Sequence, residues 1–459
     1  MIRSSAMRNL PRAIGLTSRA GGERRAALLA AVTSLKAADP RIMVKGSVQL
    51  KGKRLRVKDR ELNLGLFGRV LVIGGGKASA LMAEAIEDVL GDVVTEGRVI
   101  VPEAQRPLLK LSRIRFRRST HPWPTRKGVR AVDWMLDSVK EPELDDLVFC
   151  LISGGGSALM PMPAGGVTVE DKLEVTRLLQ QSGADIGEQN CVRKHLSAIN
   201  GGRLAERLRP ARVFSLIISD VVGNHLASVA SGPTVPDPTT YAQAKKVLTR
   251  MSLWREVPEA VRTFIQSGVA GSAPETPKPG SKVFSRVRNV LIGSNEVPCD
   301  AARMTLASLG YKTSVISTRI EGEARKFGDR LASLAIGAGR RRRAVALVAG
   351  GETTVHVTGT GVGGRNQEVA LAAAMRMAGA EGAAVVSFGT DGVDGPTRAA
   401  GAIADSGTVL RGERLGMEAG DYLRNNDSHS YFRRLGDLLV TGPTGTNVND
   451  VMIAVVRRR

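Results

Sequence analysis

Three times in this chain an apolar run of strand length stops abruptly in a cluster of glycines. Leu71-Val72-Ile73 leads into Gly74-Gly75-Gly76-Lys77, and Leu147–Ile152 leads into Ser153-Gly154-Gly155-Gly156-Ser157. Ala346–Ala349 leads into Gly350-Gly351-Glu352-Thr353-Thr354. Apolar runs bounded by turn residues suit strands buried on both faces, which are usually parallel strands covered by helices. The glycines permit backbone turns and close approaches that a Cβ would block, and they leave amides open to an anion. The repetition predicts an α/β protein with a site for a polyanionic ligand.

The rest of the chain extends the pattern. Strand candidates at Arg69–Gly74, Gly97–Val101, Leu147–Ile152 and Arg212–Ser219 alternate with helical periodicity at Ala78–Leu90, Lys127–Lys140, Thr168–Gly183 and Tyr241–Met251. A second series has strands at Asn289–Ile292, Lys312–Ser317, Ala344–Val348, Ala383–Phe388, Asp437–Val440 and Val451–Val456. Its helices are expected at Pro298–Leu309, Glu323–Gly339 and Asn366–Met377. Such alternation predicts mainly parallel sheet with helices on both faces. Gly22–Ala38 reads as an amphipathic helix and Lys45–Val57 as a short hairpin. A chain of 459 residues outgrows one hydrophobic core, so two α/β domains with a cleft between them are expected, at 22–266 and 283–459. The Pro/Gly/Ser-rich stretch Ser267–Lys282 is the expected linker.

The formal net charge of +22 raises nucleic-acid binding as a reading. Its basic residues are scattered, however, over Lys51–Arg60, Arg113–Arg118, Arg340–Arg343 and Arg457–Arg459, and only 3% of residues are aromatic, too few for a base-stacking surface. A solvated basic surface suited to anionic substrates is preferred, with no nucleic-acid and no membrane partner. No apolar run reaches the roughly 18 residues of a membrane-spanning helix. Cys150, Cys191 and Cys299 are widely spaced and read as reduced thiols, neither disulfides nor metal ligands. The start, Met1–Ala20, is rich in arginine and free of acids, as mitochondrial presequences are. In a chain basic throughout, a plain basic terminus and a cytoplasmic location are preferred.

Individual residues sharpen the chemistry. Gly74–Ser79 has the parts of a phosphate cradle, with Lys77 able to reach a transferred phosphoryl group, although neither a GxxxxGK[ST] nor a GxGxxG spacing is present. Arg193 and Lys194 are candidates for neutralising phosphate, while His195 is expected to be structural. Asp220 ends the apolar run Leu216–Ile218, where a carboxylate could hold Mg²⁺, accept a proton or cap the next helix. Arg365, in Gly363-Gly364-Arg365-Asn366-Gln367-Glu368, suits a bidentate grip on a carboxylate or phosphate. Asp391 and Asp394, three apart among turn glycines, suit a hard cation.

Together these segments resemble the class II glycerate kinases, the glycerate 2-kinase family with a C-terminal MOFRL domain. The matching segments are GGGKAS (74–79), STHPWPT (119–125), LISGGGSAL (151–159), VRKHLSAINGGRLA (192–205), SDVVG (219–223) and SGPTVPDP (231–238). GGETTV (350–355), GGRNQE (363–368), GTDGVDGPT (389–397) and TGPTGTNVND (441–450) continue in the same order. The resemblance implies a Rossmann-like N-terminal domain and a smaller α/β MOFRL domain. It implies phosphorylation of D-glycerate at the 2-position by ATP with Mg²⁺, in the cleft between the two. Lys77, Arg365, Asp220 and Asp391 are the implied catalytic residues. Gly75, Gly76, Ser153, Gly154, Gly155, Gly156, Ser157, Arg193, Lys194, Glu352, Asn366, Thr390 and Asn447 are the implied nucleotide-binding set. Asp220, Asp391 and Asp394 are the candidates for Mg²⁺. Two departures stand out: Asn224-His225 where relatives often carry acidic residues, and Asn200 where many have lysine. A hydroxypyruvate reductase is the alternative activity, nucleic-acid binding the third reading, and a homodimer is left open.

Overall fold

The computed structural model describes residues 21–103, 111–339, 344–380 and 382–457. The arginine-rich start and the basic run at 340–343 lie outside the described residues. Two compact units are present, Pro40–Ile292 and the described residues up to Asp39 together with those from Gly293 onward.

In the first unit a small antiparallel sheet, β1 (Val48–Lys51), β2 (Arg54–Val57) and β3 (Arg60–Asn63), follows the helix Pro40–Ser47. The expected hairpin is thus longer by a strand, and its first residues are helical. The main sheet is built from β4 (Arg69–Gly75), β5 (Glu96–Pro102), β6 (Ile114–Ser119), β7 (Asp146–Ser153), β8 (Arg212–Ile218) and β9 (Val287–Gly293), in the order β6-β5-β4-β7-β8-β9. β4 pairs in parallel with β5 and β7, β5 with β6, and β7 with β8. The chain builds outward from β4 to β6, then returns beside β4 with β7 and builds the other way. The carboxyl ends of β4 and β7 therefore meet at the topological switch point, where open α/β sheets bind ligands.

Every residue of β7 is buried, which is why its sequence lacks alternation. Leu71 and Ile73 of β4 and Val148, Cys150 and Ile152 of β7 pack with Ala131, Val132 and Met135 of helix Arg126–Asp137. The edge strand β6, read from sequence only as basic residues, is buried at its two ends and exposes Arg115, Arg117 and Arg118 between them; Arg117 and Arg98 lie over the Trp134 ring. Charge on an exposed edge discourages pairing with another chain. Helices Val169–Gln181 and Ile186–His195 begin with Thr168/Asp171 and Asp185/Glu188 capping boxes. The second of these helices was not expected from the sequence.

The stretch expected to be a linker is packed into this unit. Arg203 donates to the Pro274 carbonyl, His195 pairs with Glu275, and the buried Thr276 hydroxyl donates to Asp237. The chain then enters β9, the last strand of the same sheet, so the Asn289–Ile292 strand belongs to the first unit and the units change at Gly293. Proline and glycine marked a rigid loop here, which hydrogen bonds order as firmly as regular structure.

The second unit has β10 (Lys312–Ile320), β11 (Val345–Gly351), β12 (Ala383–Gly389), β13 (Gly401–Asp405), β14 (Leu438–Leu439) and β15 (Asp450–Val456), in the order β10-β11-β15-β12-β13-β14. Only β10 and β11 are parallel; β15 inserts antiparallel between β11 and β12, and β13 and β14 are antiparallel too. This sheet is mixed, unlike the first. One face is covered by helices Ala324–Gly339 and Arg365–Met377, the other by Gly22–Ala37 and Glu296–Ser308. The N-terminal helix joins the C-terminal unit through a buried ion network. Arg24 pairs with Asp405 at 2.7 Å and with Asp437, and Arg411 pairs with the same two carboxylates at 2.8 and 2.9 Å. Cys150, Cys191 and Cys299 are buried free thiols, as expected. No helix among the described residues is long and apolar enough to cross a membrane.

Candidate active site

At the switch point the loops after β4 and β7 are locked together. The Lys77 amide donates to the Gly154 carbonyl at 2.8 Å, and the Ala78 amide donates to Ser153 Oγ at 3.0 Å. Gly76, at φ +152°, leaves no room for a Cβ against Ser153. The amides of Lys77 and Ala78 are thus spent on the neighbouring loop, whose edge the Lys77 side chain borders. By contrast, the amides of Gly155, Gly156 and Ser157 donate to no group among the described residues. The second loop is the one suited to an anion.

Three charged or polar side chains border that loop. A Cβ built on Gly155 would lie 3.0 Å from His121 Nε2 and 3.2 Å from Lys77 Cγ. A Cβ on Gly154 would overlap the Asp220 carboxylate outright. Desolvation against the loop, with the Lys77 ammonium beside it, holds His121 below the ordinary imidazole value. The structure therefore gathers Gly75, Gly76, Lys77, Ser153, Gly154, Gly155, Gly156, Ser157 and Asp220. His121, within the STHPWPT segment, joins the site although no part was expected of it. Gly154→Ala must push aside the Asp220 carboxylate, whose atoms are the three nearest to the new Cβ, so activity is expected to fall about 100-fold with stability changed by under about 1 kcal/mol. Parallel activity and melting measurements check this, and unchanged activity would remove Asp220 from the site.

Farther along, Ser157 Oγ lies 2.9 Å from Ser231 Oγ, which donates to Asn190 Oδ1 at 3.2 Å. Lys194 is buried against Asp237, N···O 3.5 Å, so its charge is balanced within the fold. His195 is fully buried between the Cys191 carbonyl and Glu275, in agreement with a structural part.

The second unit holds the other expected residues. Arg365 Nε and NH2 donate to the two Asp450 oxygens at 2.6 and 3.0 Å, and NH1 donates to Glu352 at 2.7 Å. Three of about five guanidinium N–H groups are engaged, which fixes its orientation and leaves donors on NH1 and NH2. Burial raises the Asp450 carboxyl, and the Arg365 charge opposes that rise. Asn449 donates to the other Glu352 oxygen. Asp450 and Asn449 went unassigned in the sequence, although the run preceding the last strand ended on them.

Several expected binding residues also hold the fold. The Asp394 carboxylate accepts the amides of Asn366 and Gln367 at 3.0 and 2.9 Å, together with both their side-chain amides. It caps the helix Arg365–Met377, which replaces the metal reading with an N-terminal cap. Asn366 also accepts from Ser387, and Thr390 bonds Asn449 and Val448. Asn447 accepts the Asn449 amide in a local turn, and Asp391 likewise accepts the Val393 amide. The third glycine cluster is not a phosphate cradle: the amides of Glu352 and Thr354 donate to Ile320 and Gly322, and Gly351 packs on the Ile320 carbonyl. No group of three or more metal-binding side chains occurs among the described residues. Mg²⁺ bound chiefly through substrate phosphates needs only one or two protein carboxylates, a role that Asp220 beside the β7 loop fits and the saturated Asp394 does not.

Comparison with known proteins adds to this geometry. A family model described as a domain of unknown function, DUF4147, matches residues 26–266, and the MOFRL family model matches residues 345–450. The chain is 41% identical over 428 residues to a protein from Pyrococcus horikoshii named glycerate 2-kinase, covering 92% of this chain and 95% of that one. A relative from Agrobacterium vitis, 38% identical over 395 residues, carries a hydroxypyruvate reductase name; the match covers 85% of this chain and 87% of that one. The crystal structure of a glycerate kinase from Thermotoga maritima is similar with a TM-score of 0.83 at 37% identity, covering 94% of this chain and 99% of that one.

Proposed function

We propose that this chain, which belongs to the glycerate 2-kinase family with a C-terminal MOFRL domain, transfers the terminal phosphoryl group of ATP to the 2-hydroxyl of D-glycerate. The observation that carries the reading is the switch-point loop 153–157, with three uncommitted amides flanked by Lys77 and Asp220. In phosphoryl transfer the protein acts mainly by positioning and by stabilising charge on the transferring group. The amides of Gly155, Gly156 and Ser157 would hold nucleotide phosphate oxygens. The Lys77 ammonium would meet charge developing on the phosphoryl oxygens as the bond to the leaving ADP lengthens and the bond to the substrate oxygen forms. Bound through Asp220 and the phosphates, Mg²⁺ would supply neutralisation of the polyphosphate charge. Arg365, held by Asp450 and Glu352, would direct its remaining donors at an anionic oxygen of a substrate.

The reductase reading rests on names carried by relatives. Against it, the Lys77 and Ala78 amides, at the turn that would cradle a dinucleotide pyrophosphate, are engaged by the β7 loop, and Ser79 stands where a third glycine would fall, its hydroxyl donating to Gly76 and Ile100 carbonyls. The two readings separate in one comparison: ADP formation from ATP plus D-glycerate, against NADH oxidation with hydroxypyruvate. Turnover is expected in the first, and turnover only in the second would overturn the proposal.

A further inference from the structure

Behind the Ser157–Ser231 pair lies positive charge without a matching acid. Helix Val169–Gln181 carries Lys172 and helix Ile186–His195 carries Asn190 and Arg193, which, three residues apart, share a helix face. Lys172 Nζ reaches the Met162 carbonyl at 3.5 Å, and Arg193 makes no hydrogen bond or ion pair among the described residues. Arg203, on the neighbouring helix, is met by neutral acceptors alone: the carbonyls of Lys194, Ser197 and Pro274 and the Tyr241 hydroxyl. The nearby acids are already committed, Asp237 to Lys194 and Glu275 to His195 and Lys278. On Lys172's own helix, Glu170 pairs with Arg126 and Asp171 closes the capping box. Asn190 completes the set, because its Oδ1 accepts from Ser231 while its buried Nδ2 has no partner.

A buried, uncommitted amide N–H₂ that shares a helix face with Arg193, itself near Lys172, and is joined by hydroxyls to the phosphate-type loop, lacks one thing, an oxyanion. We propose that Lys172, Arg193 and Asn190 form a carboxylate subsite that binds the acid group of the phosphoryl acceptor. The assignment rests on the kinase reading above. The loop amides of 155–157 then serve the nucleotide, and this side-chain pocket reads the acceptor as an acid rather than a neutral polyol. The surrounding field agrees: burial, with Arg193 and Arg203 nearby, pushes the Lys172 ammonium down to about 7, and burial lowers Arg193 as well. A bound carboxylate would relieve both.

The test pairs calorimetric binding of D-glycerate with steady-state kinetics for Arg193→Gln, Lys172→Met and the near-isosteric Asn190→Asp. In each the KM for D-glycerate is expected to rise about 100-fold, with the KM for ATP within about twofold, and D-glycerate binding to be lost at wild-type concentrations. Asn190→Asp removes the donor and adds a repelling charge with almost no change in volume, so it reads the pocket even where an arginine variant folds poorly. A rise in the KM for ATP alone would give the pocket to nucleotide phosphate and overturn the carboxylate assignment. Unchanged constants for both substrates would also overturn it. Wild-type binding of D-glycerate without ATP-dependent turnover, with binding abolished by the variants, would leave the subsite standing and reject the kinase reading instead.

Discussion

Lys77→Ala is expected to lower kcat for phosphoryl transfer by about 10²–10³-fold while the protein melts within a few degrees of wild type. The lysine is half-buried at the edge of the loop after β7, and its backbone amide ties the two loops together. Truncation therefore removes the charge and spares the Lys77–Gly154 and Ala78–Ser153 bonds that shape the site. Lys77→Arg keeps the charge but not the compact ammonium, and is expected to recover only part of the rate. Steady-state kinetics with a melting curve on each variant check this. Full activity in Lys77→Ala would remove the residue from the chemistry.

The largest stability effect is expected from Arg24→Met, at about 3 kcal/mol, which in a unit of this size lowers Tm by about 10 °C. Arg24 is buried between Asp405 and Asp437, and its loss leaves Arg411 alone to balance two carboxylates. Burial already raises Asp437, so an unmatched charge there is costly. Arg24→Met/Asp437→Asn is expected to regain part of the loss, because the uncompensated acid is then gone. Chemical denaturation of the single and double variants measures this coupling. A single variant as stable as wild type would show that helix Gly22–Ala37 is held by its alanine and leucine packing alone.

The parts of the fold legible in the sequence were those where one strand's environment shows in its own residues. Leu147–Ile152 is apolar throughout because β7 is central and parallel, and Gly154 had to be glycine because Asp220 occupies the space of its Cβ. The glycine clusters at 74–76 and 153–157 looked alike, yet the first turned out to be the support for the second. Their difference lies in which amides are already bonded, a property of the neighbouring strand. Likewise Val451–Val456 resembles β7 in composition but runs antiparallel between two other strands, since direction is not written in an apolar run. Asp394, among turn glycines near Asp391, had a metal ligand's spacing; only the start of the helix at Arg365 reveals it as a cap. Lys172 was invisible for the opposite reason. Within Glu170-Asp171-Lys172-Leu173-Glu174 it reads as part of a solvated helix face, and its unmatched neighbour Arg193 lies on another helix.

ATP-dependent phosphorylation of D-glycerate at its 2-hydroxyl is decided by identifying the product. Purified enzyme with ATP, Mg²⁺ and D-glycerate is coupled to enolase without phosphoglycerate mutase, so that only 2-phosphoglycerate gives a signal. Immediate signal, dependent on ATP and abolished in Lys77→Ala, is the expected result. Signal that appears only when the mutase is added would mean that the 3-hydroxyl is phosphorylated and would overturn the 2-kinase assignment.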